Sequence, residues 1–489
     1  MPFFIDSEGK IQTIKKTSQN ILEAIEKEKL IFVDLHFTDV PGKLQHTTVP
    51  ARTIDATSFE TGIPKLDGSS IRGFTSISES DMILKPDPST FVVIPWSNED
   101  HKYGRVFCDV FWGFGQGRLS RDPRGVAQRA ETHLKSSGFD VSYWGPELEF
   151  FVFDNVTWDT STPYKSQGYR IESEEAAWAP TGTSYPIRFK EGYFPAPPQD
   201  TLMDLRNEVV KLLEQNFGIL CDAHHHEVST AGQGEINMRY DSLTNMADNV
   251  QTFKYVVKNV AHQKGKVATF MPKPIFMDNA SGMHVHQSLW RDGKNTFYDP
   301  DDKHAELSQI GRYYGGGLME HSRALTCIIA PTTNSYKRLV PGFEAPVYIA
   351  WSRRNRSANV RVPVYEKGSA SSAAKRLEFR CPDPTANPYL AFPAMLAAGL
   401  DGIKKKVDIG NPVDENIYLL SPERRRELGI KELPKDLGEA ADELESDQEF
   451  LKPLLGSDVI EIMIENARAQ HLEVSMRPHP HEFYMYFDA

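Results

Sequence analysis

Two glutamates lie eight positions apart in the stretch HHHEVSTAGQGEINMR, close enough in the chain to share one bound cation. On a helix, Glu227 and Glu235 would point about 80° apart, and on one straight strand they would be roughly 27 Å apart. A hairpin centred on Ala231 would place them directly opposite each other, and Gly232 and Gly234 could supply the positive φ values of its turn. Two such carboxylates repel, so the pattern predicts a cation between them; a solvated hairpin tip with splayed acids is the alternative.

In three further pairs of chemically active side chains, the two residues are two positions apart. Residues with this spacing on a β-strand share one face. These pairs are Glu147 and Glu149 in GPELEFF, His284 and His286 in GMHVHQS, and Glu378 and Arg380 in RLEFR. Apolar and aromatic residues flank the first pair, so its acids are expected to point into a protected site. Carboxylate-rich, thiol-free ligands favour Mg²⁺ or Mn²⁺, with Zn²⁺ as the alternative because histidines are present. The triple histidine 224–226 alternates between two faces, so only part of it can serve one site.

Arginines are concentrated between residues 336 and 380, in the segments YKR, SRRNRSANVRVP and RLEFR. The chain is acidic overall, so this cluster favours recognition of a phosphate or a carboxylate, with a solvated basic face as the alternative. No P-loop motif is present, and GFGQG at 113–117 is not a dinucleotide-binding turn. Carboxylates, hard metal ions and arginines together suit phosphoryl transfer to a small acid.

The composition is that of a globular protein. The chain has 489 residues, which predicts two or three domains, and its 67 acidic and 55 basic residues give a net charge of −12 that disfavours a nucleic-acid surface. The four cysteines are far apart, without a CxxC motif, which is typical of a reducing compartment. Neither a signal peptide nor an apolar window of about 18 residues is seen, so the cytoplasm is the expected location, and no membrane partner is expected.

A series of helices and strands would position these residues. The predicted elements are a helix over 17–29, a strand over 30–39 that opens a hairpin, a helix over 123–136, a strand over 141–154, a polar excursion over 155–200, and an edge strand at the terminal RPHPHEFYMYFDA. The glycines of GFGQG indicate a domain boundary. Asp122 and Pro123 supply an N-cap and a first-turn proline, which start the helix over 123–136.

Longer motifs carry a family resemblance. The chain resembles type I, or bacterial-type, glutamine synthetases in a series of motifs that occur in the same order. These motifs are LDGSSI, GPELEFF, HHHEVSTAGQGE, NASGMHVHQS, NSYKRLVPGFEAP, NRSANVRVP and RLEFRCPDPTANPYLAF. The match runs from about residue 18 to the C-terminus, and the excursion with KEGYFPAPPQD resembles the longer subtype. The resemblance implies an α+β fold with an N-terminal extension over 1–17, a small β-grasp domain over 18–118, and a catalytic domain over 119–489, whose curved antiparallel sheet is flanked by helices.

The resemblance also implies a role for each matching position. Two to three divalent cations, Mg²⁺ or Mn²⁺, would bind, the first to Glu149, Glu227 and Glu235 and the second to Glu147, His284 and Glu378. Glutamate would be bound by Asn279, Ala280, Arg338 and Arg380. ATP, the co-substrate, would be contacted by Asp222, Tyr240, His286, Ser288, Arg356, Arg361 and Arg376. The catalytic groups would be Asp67 of a neighbouring subunit, Glu344 on a flap, and Arg356 at the transferring phosphate.

The reaction that the resemblance implies joins ammonium to the side-chain carboxylate of L-glutamate. It is driven by ATP through γ-glutamyl phosphate and gives L-glutamine, ADP and phosphate. The implied assembly is a homo-oligomer, a dodecamer of two stacked hexameric rings with sites between subunits, in which the tail after about residue 465 contacts the opposite ring. Two other functions stay open: a γ-glutamyl–amine ligase that takes a polyamine or another amine, and a non-catalytic structural relative.

Ala280 and Leu419 are among the positions that depart from the family pattern. Ala280 stands where the family usually has a glycine, which requires ordinary backbone angles at that position. Tyr418 in ENIYLLSPE matches the tyrosine that is adenylylated in some members. Leu419 replaces the acidic residue that usually follows it, so packing of Tyr418 within its loop is the favoured interpretation and its modification the alternative.

Overall fold

The computed structural model describes residues 3–5, 11–13, 16–179, 185–343, 345–353, 355–363 and 372–489. The strands of its N-terminal part are β1 (Phe3–Ile5), β2 (Ile11–Thr13), β3 (Phe32–Thr38), β4 (Leu44–Pro50), β5 (Ile63–Asp67), β6 (Asp81–Pro86), β7 (Val92–Val93) and β8 (Tyr103–Trp112). Its helices are α1 (Ser18–Lys27) and α2 (Ala56–Glu60). The main sheet of this part has the strand order β4-β3-β8-β6-β5, with β7 paired to β8, while β1 and β2 pair with each other.

The predicted helix and hairpin at the start of the N-terminal part are confirmed. The cap of α1 is Thr17, whose hydroxyl accepts a hydrogen bond from the backbone N–H of Asn20 at 3.3 Å. β3 and β4 form the predicted hairpin, with His36 opposite His46. β3 is buried along almost its whole length, because it lies between β4 and the parallel strand β8, whereas β4 forms the exposed edge.

The larger second part of the chain follows the glycines of GFGQG. Its strands are β9 (Val141–Phe153), β10 (Asn155–Thr162), β11 (Ser166–Glu172), β12 (Cys221–His226), β13 (Gln233–Met238), β14 (Asp241–Ser242), β15 (Val267–Thr269), β16 (Met283–Arg291), β17 (Lys294–Asn295), β18 (Tyr348–Ser352), β19 (Ala358–Arg361), β20 (Leu377–Phe379) and β21 (Lys431–Glu432). Its helices are α3 (Pro123–Ser136), α4 (Met203–Leu212), α5 (Leu243–Gln263), α6 (Gln309–Glu320), α7 (Ser322–Ile329), α8 (Ser335–Arg338), α9 (Pro388–Lys405), α10 (Pro422–Glu427), α11 (Leu437–Ser446), α12 (Lys452–Leu455), α13 (Ser457–Ser475) and α14 (Pro480–Tyr486).

One large sheet organises this second part. Its order is β12-β13-β9-β16-β20-β19-β18-β21, with β14 and β15 on β9 and β17 on β16, and every pair is antiparallel except β18 with β19. One face packs on α9, which is buried along most of its length, and Trp144 of β9 stacks on Phe392 of α9 with ring centroids 5.2 Å apart. Leu148 lies on that packed face, so Glu147 and Glu149 lie on the other. The α+β class is confirmed.

A buried arginine at the start of α3 fixes the two parts to each other. Arg124 reaches Asp87 at 2.6 Å and Asp109 at 2.7 Å in the N-terminal part, and Asp248 of α5 at 2.9 Å in the second part. The backbone N–H of Arg124 also donates to Asp122, which confirms the predicted cap at 3.2 Å. A buried guanidinium must be paired, and its three carboxylate partners come from both parts, so this residue links the two parts.

The structure contains a hairpin that the sequence did not predict, and it corrects the prediction for the C-terminal segment. The polar excursion over 155–200 begins with the hairpin β10–β11, which forms a small sheet of its own. The terminal segment is the helix α14 rather than the predicted edge strand, because Pro480 occupies its first turn and His479 caps it. Within the described ranges, no helix combines the length and the apolar character that crossing a membrane requires.

Candidate active site

Side chains of neighbouring strands meet on the face of the large sheet that points away from α9. The facing pairs are Glu235 with Glu149 (β13 and β9), Glu147 with His284 (β9 and β16), His286 with Glu378 (β16 and β20) and Glu378 with Arg361 (β20 and β19). Facing residues share a side of the sheet and have Cβ atoms about 5 Å apart. The spacing of two residues seen in each segment therefore produces one continuous polar surface across five strands.

Two groups of ligand atoms on this surface are compact enough to bind a metal ion. The first consists of Glu147, His284 and Glu378, and the second of His225, Glu227 and Glu235, with all ligand atoms of a group within 4.8 Å of one another. The first group is the trio expected for one cation. The second contains His225 in addition to two expected carboxylates, while the expected Glu149 lies beside it on β9. Each group has two carboxylates and one imidazole, which suits Mg²⁺ or Mn²⁺.

The hairpin that carries the second group is centred one residue before the predicted position. His225 lies opposite Glu235, and the backbone N–H of Glu227 donates to the carbonyl of Gln233 at 2.8 Å, so the centre of the turn is Thr230. The predicted direct opposition of the two glutamates is therefore wrong. They are diagonal neighbours on one face, which still brings their carboxylates within reach of one cation.

Contacts from a distant segment set this register. The carboxylate of Asp278, which is fully buried, accepts hydrogen bonds from the hydroxyl of Ser229 at 2.8 Å and from the backbone N–H of Thr230 at 2.7 Å. Gly232 has the expected positive φ, +64°, whereas Gly234 lies within β13 and has none, which corrects the prediction for the second glycine. One glycine in the left-handed region is enough for this turn.

Glu149 is buried next to the second group. Its carboxylate accepts a hydrogen bond from the side-chain amide of Gln233 at 2.9 Å, and its backbone N–H donates to the carbonyl of Gly282 at 3.1 Å. Burial raises the pKa of Glu149 well above its usual range, and the like charges of Glu227 and Glu235 raise it further. A cation at this point would relieve that repulsion.

The two halves of the surface differ in charge balance. Burial, followed by the like charge of Glu147, raises the pKa of Glu235 well above its usual range. Burial also raises the pKa of Glu378, but Arg380 and its other cationic neighbours outweigh this and bring that pKa to about 2. Arg380 lies 2.6 Å and Arg361 2.5 Å from the carboxylate oxygens of Glu378. The carboxylates around Glu235 therefore lack a neutralising positive charge, whereas arginines already neutralise the carboxylate of Glu378.

One cavity of 200 Å³ contains both groups together with the arginines. Its ionisable lining residues are Glu147, Glu149, Glu227, Glu235, Glu378, His225, His284, Arg338, Arg356, Arg361 and Arg380, and Asn279 and Ala280 line it as well. Arg338 is buried, and its guanidinium donates to the carbonyls of Arg380 at 3.0 Å and Cys381 at 2.8 Å, which fixes it in the cavity wall. The cavity can hold cations beside a carboxylate or a phosphate.

Among the lining residues to which no specific role was assigned from the sequence are His225 and Tyr193. His225 is two positions from Glu227 on the same strand face, and this spacing was a usable signal. His226 points away and its Nδ1 lies 2.7 Å from the carbonyl oxygen of Gly192, which ties the segment of Tyr193 to the hairpin. Tyr193 comes from the excursion over 155–200, and its local sequence gives no indication that it reaches the site.

Most of the expected ATP contacts cluster around the middle of β16. Tyr240 and His286 both approach the glycine of GPELEFF, within 3.5 and 3.7 Å of where a Cβ would lie. Arg376 donates to Nδ1 of His286 at 3.0 Å, and Ser288 follows on the same face of β16. Asp222 is exposed in a bulge at the start of β12 and is not among the described residues that line the cavity.

Three other expected positions lie outside this cavity or outside the described ranges. Asp67 is exposed at the end of β5, where its carboxylate accepts hydrogen bonds from the serines that follow it. Glu344 lies outside the described residues. Tyr418 packs in its loop, and its hydroxyl donates to the carbonyl of Ala345 at 2.5 Å. Ala280 has no positive φ, as expected for an alanine.

The chain is similar to known proteins in both sequence and architecture. The family model described as glutamine synthetase, β-grasp domain, matches residues 29–113, and that described as glutamine synthetase, catalytic domain, matches residues 120–486. Similar curated proteins include the glutamine synthetase of Sulfolobus acidocaldarius, 55% identical over 477 residues (97% of this chain, 99% of the relative), and that of Escherichia coli, 46% identical over 482 residues (96% and 99%). The structure of Plasmodium falciparum glutamine synthetase, solved by electron cryomicroscopy, has a TM-score of 0.86 and 26% identity, and the alignment covers 97% of this chain and 100% of that one. The chain therefore belongs to the glutamine synthetase family.

Proposed function

We propose that this chain joins ammonium to the side-chain carboxylate of L-glutamate, with cleavage of ATP to ADP and phosphate and with γ-glutamyl phosphate as the intermediate. The observation that carries the proposal is the single cavity in which two carboxylate–imidazole groups and four arginines meet. Such a site can hold a polyphosphate and a carboxylate against each other, as phosphoryl transfer to a carboxylate requires. Membership of the family supports the same reaction.

We assign two to three divalent cations, Mg²⁺ or Mn²⁺, to the cavity. The first would be held by Glu149, Glu227 and Glu235, with His225 next to them, and the second by Glu147, His284 and Glu378. The raised pKa values of Glu149 and Glu235 support the first assignment: burial and then repulsion between the carboxylates raise them, and a bound cation would stabilise the ionised forms. When bound, such ions neutralise and orient the phosphate oxygens.

We assign glutamate to the wall of the cavity formed by Arg338 and Arg380, with Asn279 and Ala280 beside them. The carbonyls that accept from Arg338 hold its guanidinium in one orientation, so little side-chain freedom is lost when a carboxylate binds. Arg380 is held in the same way by Glu378. Pre-oriented guanidinium groups are suited to two-point recognition of carboxylates.

We assign the transferring phosphate to Arg356 and Arg361, and the rest of the nucleotide to the other expected contacts. Arg361 is anchored by Glu378, whereas Arg356 is exposed at the edge of the cavity. The nucleotide contacts would be Asp222, Tyr240, His286, Ser288 and Arg376. The closeness of Tyr240, His286 and Arg376 to one another supports this part of the assignment, and Asp222 rests on the resemblance alone.

In the proposed reaction, an oxygen of the glutamate side chain attacks the γ-phosphorus, and ADP leaves. Arg356 and Arg361 would stabilise the charge on the transferring group. Asp67 of a neighbouring subunit would hold ammonium and accept a proton from it, and the free amine would then attack the acyl carbon and displace phosphate. Hydrogen bonds from Ser69 lower the pKa of Asp67, so this carboxylate is ionised at neutral pH. Glu344 would belong to a flap that keeps water from the acyl phosphate.

We also propose a homo-oligomer, a dodecamer of two stacked hexameric rings. Asp67 does not line the cavity of its own chain, as expected if it completes the site of a neighbour. The tail after about residue 465 ends in α14, whose exposed aromatic residues suit docking on the opposite ring; they are Phe483, Tyr484 and Tyr486. The cytoplasm is the proposed location, and the free state of Cys108, Cys221, Cys327 and Cys381 supports it.

The test compares amines at fixed glutamate, ATP and Mg²⁺ and identifies each product by mass spectrometry. We expect glutamine from ammonium, and little product from methylamine, ethanolamine or putrescine. Product from the organic amines but none from ammonium would instead identify a γ-glutamyl–amine ligase, and no product from any amine would identify a structural relative. Glu235→Ala should abolish glutamine formation, whereas Glu427→Ala, exposed on α10, should leave it unchanged. Unchanged activity of Glu235→Ala would refute the metal assignment.

A further inference from the structure

A second cluster of metal-ligating side chains lies on the small N-terminal sheet, away from the catalytic cavity. The register places His36 of β3 directly opposite His46 of β4, and Asp34 opposite Thr48. Asp34 and His36 are two residues apart on one strand, so all of these side chains share one face. The ligand atoms of Asp34, His36 and His46 lie within 4.8 Å of one another.

The carboxylate of this cluster is buried without a salt bridge to any lysine or arginine that the structure describes, and the guanidinium of Arg105 acts on it only at longer range. The side chain of Asp34 is 8% exposed, and its partners are His36 at 2.8 Å, His46 at 2.7 Å and the hydroxyl of Thr48 at 2.7 Å. Across the described ranges, no lysine or arginine lies within 4.0 Å of it. Arg105, which faces Asp34 from β8, donates to the hydroxyl of a threonine on α5 instead. A buried carboxylate is stabilised by a cation, and a neutral imidazole is not one.

The cluster has a route to solvent. It opens into a cavity of 690 Å³ between the β3–β4 hairpin and α5, which Tyr255 also lines. His36 is buried in the wall of this cavity, whereas the side chain of His46 is 63% exposed. An ion can therefore enter from the cavity, and water can complete its coordination.

We propose that Asp34, His36 and His46 bind a divalent transition-metal ion of the zinc class. Each catalytic group has two carboxylates and one imidazole, whereas this cluster has two imidazoles and one carboxylate. Imidazole-rich sets select Zn²⁺ and Co²⁺ over Mg²⁺, which prefers oxygen ligands. The two kinds of site therefore differ in the metals that they select.

Metal binding at this cluster needs only a local rearrangement. The imidazole nitrogens that now face Asp34 would bind the ion as neutral ligands, and the proton of each ring would move to its other nitrogen. Nδ1 of His36 is buried and has no hydrogen-bond partner, so protonating it breaks no existing hydrogen bond. The hydroxyl of Thr48 already donates to Asp34 and would keep the carboxylate oriented, as outer hydrogen bonds do in metal sites.

The test titrates Co²⁺ into the full-length protein in excess Mg²⁺, which occupies the oxygen-rich catalytic groups, and follows the visible absorption of Co²⁺. We expect an intense spectrum of low-coordinate Co²⁺ that saturates at one ion per chain. His46→Ala should weaken this binding roughly tenfold or more, whereas His101→Ala, which lines the same cavity outside the cluster, should not. Zn²⁺ should raise the thermal midpoint of the wild type and of His101→Ala but not of His46→Ala.

His46 is exposed, so its replacement is expected to leave the fold intact, and His46→Gln serves as a second variant of similar size. No Co²⁺ spectrum in the wild type, or equal Co²⁺ affinity in both His46 variants and the wild type, would overturn the proposal and leave the cluster as a hydrogen-bonded network. Glutamine formation with Mg²⁺ should be the same in His46→Ala and the wild type, which separates this test from that of the proposed reaction.

Discussion

The carboxylates of the cavity should make the metal-free protein less stable, and Glu235→Gln tests this directly. Glu235 is buried among like charges, and its pKa is raised by burial and by the neighbouring Glu147 and Glu227. The substitution keeps the shape of the side chain and the hydrogen bond that its Oε1 accepts from Asn237 at 2.5 Å. It removes only the charge, so the metal-free protein should become more stable while metal binding becomes weaker.

The expected gain follows from Coulomb's law. Ligand atoms of Glu227 and Glu235 lie within 4.8 Å of each other. Two full charges at that separation repel by about 3 kcal/mol at an effective dielectric constant of about 20. Partial protonation of the carboxylates relieves some of this repulsion. We therefore expect Glu235→Gln to raise the free energy of unfolding of the metal-free protein by about 1 to 3 kcal/mol near neutral pH.

The assay is thermal unfolding at one scan rate, in EDTA and in saturating Mg²⁺. Glu235→Gln should have a higher midpoint than the wild type in EDTA and should gain less from Mg²⁺. Glu175→Gln is the matched control: this buried carboxylate pairs with His226 at 3.2 Å, so the same change should lower the midpoint in both buffers. A midpoint of Glu235→Gln in EDTA at or below that of the wild type, with an undiminished response to Mg²⁺, would refute the reasoning.

Three further predictions concern pH, the hairpin turn and the glutamate site. In EDTA the contribution of Glu149 and Glu235 to the midpoint should fall as pH rises above about 4.5, because these folded carboxyl groups retain protons that the unfolded chain releases. Saturating Mg²⁺ should reduce this effect, and the midpoint of the wild type relative to that of Glu235→Gln, measured across pH, checks both. Gly232→Ala should lower the free energy of unfolding by about 2 kcal/mol or more, because φ is +64° at this position and the added Cβ would clash with a backbone carbonyl. Gly168→Ala is the control: a Cβ there would meet nothing within 4 Å, so the thermal midpoint should change little. Arg380→Lys should raise the KM for glutamate about tenfold with a smaller change in the KM for ATP, because lysine lacks the planar fork that recognises a carboxylate; steady-state kinetics with each substrate varied in turn will show this.

Local rules were enough to predict the faces and ends of the elements that carry the site. Residues two apart on a strand share a face whatever the rest of the chain does, so the pair Glu147 and Glu149 could be placed from the sequence. The start of α3 at Asp122 and Pro123 was equally local, because the cap depends on neighbouring residues.

Register and long-range contacts could not be predicted from local sequence. The hairpin turn is centred on Thr230 because buried Asp278, almost 50 positions away, accepts hydrogen bonds from its tip, and the hairpin sequence does not contain that information. Tyr193 reaches the cavity for a similar reason, since its segment is held by His226. The alternating pattern at the C-terminus predicted a strand, but a proline in the first turn and a preceding cap favour the helix α14.

The most direct test of the proposed reaction follows oxygen-18 from the side-chain carboxylate of labelled L-glutamate during turnover with ATP, Mg²⁺ and ammonium. Attack of that carboxylate on the γ-phosphorus, between the two carboxylate–imidazole groups and the four arginines of one cavity, makes a labelled oxygen the bridge to phosphorus. Displacement by ammonium then leaves that oxygen on phosphate. We expect one labelled oxygen in each phosphate released with glutamine. Unlabelled phosphate formed together with glutamine would contradict it.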